Sequence, residues 1–111
     1  MKLITAIVRM DDLPRVMNAA TDAGARGLTA SKVSGFGQQY GYTRKAAPAG
    51  QPVLLPKARA DIVVRDEDTD AVLNAIVKCV NTGSVGDGKL WVSPVDCVVR
   101  ARTGERDDDA V

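Results

Sequence analysis

Residues 82–89 read TGSVGDGK. Gly83, Gly86 and Gly88 can take positive φ and let the backbone come close to a ligand. Successive N–H groups in such a turn form an anion nest, and Lys89 adds a point charge suited to phosphate. The stretch fits the glycine-lysine half of a nucleotide-binding P-loop, but Leu90 stands where Ser or Thr must ligate Mg²⁺. The surrounding order is also reversed, with a helix before and a strand after. The competing reading is local: Gly83 caps a helix C-terminus, and a glycine turn then leads into a strand. Spacing alone does not choose between the two.

Two other stretches bear on the choice. GFGQQ (35–39) is a second glycine-rich segment at a strand end, where a β-bulge or strand terminator is the ordinary reading. In VVRARTGER, Arg100 and Arg102 alternate along an expected strand and so project to one side. Their ordinary use is a solvated strand face. Together the glycine turns and the arginines make a polyphosphate site only if they converge, which spacing cannot show. Histidine is absent from the chain, which excludes Ser-His-Asp and Cys-His chemistry and His-based zinc sites. Cys79 and Cys97 read as buried small hydrophobes rather than a disulfide.

The elements that must position these residues follow from periodicity. With 111 residues, 45% hydrophobic and 26% charged, the chain suits one soluble globular domain over 1–111. A net charge of +1 gives no electrostatic case for nucleic acid or an anionic membrane surface. No apolar run approaches a membrane span, and the N-terminus lacks a signal-peptide pattern, so a cytoplasmic location is expected. LITAIV (3–8) reads as a buried strand. A helix follows, capped by Asp11 or Asp12, with Pro14 in its first turn and Leu13, Val16, Met17 and Ala20 on one face. Gly24 or Gly27 ends it. Residues 28–37 form a second strand, and 38–56 a long flexible loop in which Pro48, Gly50, Pro52 and Pro56 break any regular element. KARADIVV (57–64) alternates as strand three. The acids after Arg65 open a second helix, whose apolar stripe is Leu73, Ile76, Val77 and Val80. Residues 89–102 make the last strand, interrupted near Pro94. The polar tail 103–111 is expected to be loosely held. The result is an α+β, ferredoxin-like βαββαβ pattern. Both helices fall on one sheet face, and oligomerisation is the simplest cover for the other.

These segments resemble the PII nitrogen-regulatory signal-transduction proteins over nearly the whole chain. The resemblance rests on MKLITAIVR, GLTASKVSGFGQQ, LPKARADIVV, AIVKCVNTGSVGDGKLWVSPVD and VVRARTGERDDDAV, in family order. The combination of GFGxQ, TGxxGDGK and RxRTGE is specific. It implies a homotrimer whose three inter-subunit clefts bind ATP or ADP competitively. With Mg-ATP, 2-oxoglutarate also binds. The loop between strands two and three, the T-loop, then changes shape and docks onto or releases a target protein such as a transporter, enzyme or regulator. By the same resemblance Gly86, Asp87, Gly88 and Lys89 contact phosphates and ribose. Gly35, Phe36, Gly37 and Gln38 lie at the strand end beside the nucleotide, and Ile7, Thr29 and Val63 surround the adenine. Arg100 and Arg102 reach phosphates across the subunit boundary. Gln39 ligates Mg²⁺, Lys57 pairs with the 2-oxoglutarate carboxylate, and the backbone from Gln39 to Gly41 helps to hold that ligand.

The chain departs from the family at the loop. Gln38 stands where many members carry an arginine that holds the terminal phosphates. Loss of such a charge-assisted contact costs about 1.5–3 kcal/mol, enough to move preference from ATP towards ADP or AMP. The tip AAPAGQP lacks the tyrosine that some members modify, Tyr40 and Tyr42 read as packing against the loop stem, and no serine lies between Thr43 and Lys57. Two other readings compete. One is a slow ATPase with Asp87 and Gln39 orienting water, though no general base is evident. The other is a structural trimer of the CutA kind, against which the TGxxGDGK loop argues.

Overall fold

The computed structural model describes residues 1–37 and 53–111. The expectations placed on 38–52, including Gln38, Gln39, Tyr40, Gly41 and Tyr42, lie outside the described residues. Six main elements run in order: β1 (Lys2–Val8), α1 (Leu13–Asp22), β2 (Thr29–Gly35), β3 (Leu55–Val64), α2 (Thr69–Val80) and β4 (Lys89–Pro94). The strands form one antiparallel sheet in the order β2-β3-β1-β4. The two helices pack on one face of it, as the ferredoxin-like pattern predicts.

Alternation along the central strands builds the core. Ile4, Ala6 and Val8 of β1 lie opposite Ile62, Ala60 and Ala58 of β3, all buried against the helices. From the helices come Val16 and Ala20 of α1 and Val72, Ile76 and Val80 of α2. Two residues expected on these apolar faces point outward instead: Met17 is 46% and Val77 42% exposed. Each lies beside a truly buried neighbour, and a face defined by four residues leaves an angular error of about one position.

Helix ends differ from expectation in instructive ways. Asp12 precedes α1 but makes no side-chain cap. Its carboxylate is taken instead by Arg15, with Arg9 at 3.9 Å. At the other end Gly24, at φ +116°, follows the last turn. Its N–H reaches Thr21 O at 3.1 Å and that of Ala25 reaches Ala20 O at 2.9 Å, a Schellman closure. Helix α2 ends differently. Asn81 is extended there, so Gly83 is not the C-cap that the local reading of TGSVGDGK requires.

Strand ends also shift. β3 begins at Leu55 and takes in Pro56, which pairs with Ser34. The β1 ladder reaches only to Ala58, so the missing N–H of Pro56 breaks no bond there. The last strand stops at Pro94 rather than 102. Val95 gives one more bond to Met1 O at 3.2 Å, and the first strand then has nothing left to pair with. Beyond it Val99 makes an isolated bridge to Arg106. The tail is tied back: Asp107–Asp109 is a 3-10 turn, and Arg65 donates to Asp108 O at 2.8 Å. Cys97 is exposed, not buried, with Arg106 Nη2 3.2 Å from its sulfur, and Cys79 is half-buried; both are free thiols. Among the described residues no helix is long and apolar enough to cross a membrane.

Candidate functional site

Antiparallel pairing brings the ends of β1 and β2 beside the starts of β3 and β4. At this edge lies a cavity of about 450 Å³. Ile7 enters from β1, Gly35, Phe36 and Gly37 from β2 and beyond, and Lys57 from β3. Gly86, Asp87, Gly88 and Lys89 close it from the loop before β4. Nine residues expected from the sequence thus line one space. Leu55, Ser84, Val85 and Trp91 line it too and were not anticipated. Trp91 carried a readable signal: it stands two residues after Lys89 on a strand and so shares its face.

The loop is docked by its glycines. Gly88 has φ +113°, and a Cβ built on it would stand 2.2 Å from Ile7 O. No side chain fits there, so glycine lets the chain lie directly on the end of β1. Gly83 and Gly86 also take positive φ, +77° and +99°.

Asp87 holds the loop's shape. Its carboxylate accepts the N–H of Thr82 at 2.7 Å, that of Gly83 at 3.0 Å and the Thr82 hydroxyl. Arg9 Nη1 completes the set at 3.0 Å. The anion in this nest is therefore the chain's own side chain. The Thr82 hydroxyl, then the Thr82 N–H, with Arg9 and the Gly83 N–H adding, hold the Asp87 carboxyl well below the usual carboxylate range. So acidic a group is a poor proton acceptor. With the folded pKa below the unfolded one, its contribution to stability is complete above the ordinary value near 3.9 and is lost as pH falls towards the folded value. A carbon-detected NMR titration of Asp87 should therefore show no protonation step near pH ~4; an ordinary step there would overturn this set of hydrogen bonds.

The charge inside the cavity is one-signed at its lysines. Among the described residues neither Lys57 nor Lys89 has an ion-pair partner. Two unneutralised ammonium groups beside a glycine-lined wall suit an anion with several oxygens.

Four expected residues lie elsewhere. Thr29 begins β2, six residues and about 20 Å of strand from Gly35. Val63 pairs with Leu3 at that same far end. Arg100 and Arg102 do not line the cavity either; they follow β4 past Met1, in a segment tied through Asp108 to Arg65 just beyond the far end of β3. They are not on a strand, because the chain turns at 101–103. Arg100 instead pairs with Glu105 at 2.8 Å and accepts the N–H of Gly104. Trp91 is 43% exposed on the sheet face away from the helices. On that face Thr5 donates to Asp61 at 2.8 Å, and Arg59 joins Asp61 at 2.9 Å. Burial pushes the Asp61 carboxyl up, but the Arg59 and Thr5 hydrogen bonds outweigh it and leave it lowered.

A family model described as nitrogen regulatory protein P-II matches residues 1–105. Nitrogen regulatory protein P-II 2 of Methanothermobacter thermautotrophicus is 47% identical, the match covering 100% of this chain and 97% of the relative. Proteins called nitrogen regulatory protein P-II from Synechocystis sp. and Pasteurella multocida are 43% and 42% identical, each match covering 100% of both chains.

Proposed function

The chain belongs to the nitrogen regulatory protein P-II family, and from that premise we propose that this signal-transduction protein senses adenine nucleotides at the cavity between β1, β3 and the 82–89 loop. ATP or ADP is the ligand. Mg²⁺ and 2-oxoglutarate accompany ATP, and the segment between β2 and β3 passes the signal to a target transporter, enzyme or regulator in the cytoplasm.

The observation that carries this reading is the meeting, on the wall of one cavity, of Gly86 and Gly88 with Lys57 and Lys89, which have no ion-pair partner among the described residues. Phosphates need closely approaching backbone and mobile positive charge, and the wall offers both. Ile7 and Phe36 add apolar surface on which a base can rest. The fit to a metal is narrower. The expected ligand Gln39 lies outside the described residues, which contain no acidic or thiol cluster that could hold a metal ion. Mg²⁺ would supply charge neutralisation between phosphates and 2-oxoglutarate, while Lys57 holds a carboxylate.

A homotrimer accounts for the residues left at the far end. Thr29, Val63, Arg100 and Arg102 of a second copy would complete the cavity at a subunit boundary. The sheet face carrying Trp91, Ile7 and Leu3 would be covered in the same assembly.

Calorimetric titration of ADP and ATP, each with and without Mg²⁺ and 2-oxoglutarate, tests the reading. Micromolar ATP binding that makes 2-oxoglutarate binding possible is expected. ADP or AMP binding alone would instead mean that Gln38 has turned the site towards energy charge. Lys89→Ala should weaken ADP by about tenfold to a hundredfold, the usual worth of a charge-assisted contact. Unchanged affinity in that variant would sink the site assignment.

A further inference from the structure

Arg9 stands outside GFGxQ, TGxxGDGK and RxRTGE, the three motifs singled out as specific, yet it is bonded to the 82–89 loop. Resting on the nucleotide reading and deepening it, we infer that Arg9 is a positioning residue, which clamps the loop to the sheet without touching the ligand.

Arg9 follows the last residue of β1 with an extended backbone and begins the turn into α1. Its guanidinium reaches the loop twice, at Asp87 Oδ1 (3.0 Å) and Val85 O (3.4 Å). The nitrogen that bonds Asp87, Nη1, also lies 3.9 Å from the nearly buried carboxylate of Asp12. The group therefore joins the entry of the first helix to a loop 78 residues further along the chain. Among the described residues every other donor to Asp87 comes from Thr82 or Gly83, inside the loop. Those bonds shape the turn but do not fix it in space. Among the described residues only Arg9 ties Asp87 to the rest of the fold.

The backbone contact at Gly88 acts on the same strand end, against Ile7 and Val8. Ile7, Val8 and Arg9 are consecutive, so the loop is pinned at two adjacent points. Between and beside them stand Gly86 and Lys89, the groups offered to phosphate. A fixed loop presents them already placed, and the ligand need not order them on binding. Arg9 has a second effect through charge. Asp87 puts a negative carboxylate on the wall of an anion site. The guanidinium offsets it at short range, so a phosphate meets a loop without local repulsion.

The test uses the full-length protein and its variants Arg9→Ala, Arg9→Lys, Asp87→Asn and the double variant Arg9→Ala/Asp87→Asn. ADP and adenosine are titrated by calorimetry, and Trp91, the single tryptophan of the chain, reports the cavity by fluorescence. Arg9→Ala should weaken ADP about tenfold, the scale of coupling within one bonded network, and leave adenosine within about twofold. Arg9→Lys should recover part of the loss, since a lysine keeps the charge but not the fork. The loss from removing Arg9 should shrink when Asp87 is already Asn. An unchanged ADP affinity in Arg9→Ala would overturn the inference. So would a full loss that persists beside Asp87→Asn, because the arginine would then be touching the ligand itself. A ligand-free readout separates this from failure of the nucleotide reading. Hydrogen exchange at Thr82 and Gly83 should quicken in Arg9→Ala. If wild type binds no ADP, the function falls, while quickened exchange still upholds the clamp and unchanged exchange overturns it too.

Discussion

A Gly88→Ala protein keeps its fold but loses ADP affinity by about a hundredfold or more. The added methyl would stand 2.2 Å from Ile7 O, 3.2 Å from Ile7 C and 3.3 Å from Val8 Cα. All three are backbone atoms of β1, which is paired on both sides by β3 and β4. No rotamer change can relieve such a contact, so the loop must lift. The left-handed conformation adds strain of about 1–3 kcal/mol for a residue with a Cβ. Two such effects together exceed the ~2.7 kcal/mol that a hundredfold requires. Gly83→Ala is the control. Its φ is also positive, at +77°, but its built Cβ meets nothing within 4 Å. It should cost only the backbone term and leave ADP binding measurable. Calorimetry gives the affinities, and circular dichroism checks the fold. A Gly88→Ala protein that binds ADP as wild type does would remove the loop from the site.

The core prediction is as large but falls on stability. Ile62 is fully buried, pairs with Ile4 across the two central strands, and sits under the helices. Ile62→Ala should cost about 2–5 kcal/mol through lost transfer energy and the cavity left behind. That is a large share of the roughly 5–15 kcal/mol that holds a domain folded, and melting should fall by about ten degrees or more. Val77→Ala provides the contrast, since Val77 is exposed on α2. Its cost should stay near 0.5 kcal/mol, as for surface substitutions generally. Urea denaturation of the two variants decides the matter. Equal losses would mean that the outward face of α2 is packed in the protein and that the core is wrongly drawn.

Local pattern carried much of this. The alternation Ala58, Ala60, Ile62, Val64 is a statement about one strand, and it holds because burial on a single face selects every second side chain. Gly24 ends α1 because only glycine readily takes the positive φ of that closure. The segment TGSVGDGK announced a backbone that approaches something closely, and Gly88 does so against β1. What the pattern could not rank was Met17 against Val16 or Val77 against Ile76. Adjacent positions on a helix differ by about a hundred degrees, and only the partner surface says which is covered. The end of the last strand was hidden for a similar reason. Nothing in WVSPVDCVVRAR says where β1 stops, yet β1 supplies the hydrogen-bond partners that make β4 a strand.

The sequence by itself determined the element order, the family, and the residue types suited to phosphate: three glycines able to take positive φ and a lysine in one short loop. Those are local properties, encoded by neighbours within a few positions. Only the tertiary structure decided that Lys57 joins Lys89 at one cavity, and that Thr29, Val63, Arg100 and Arg102 stand at the other end of the sheet. It alone showed Asp87 turned inward to its own loop and Arg9 reaching it across 78 positions. The physical reason is range. A turn is set by its own φ angles, whereas a site is set by which strand ends the antiparallel ladder brings together.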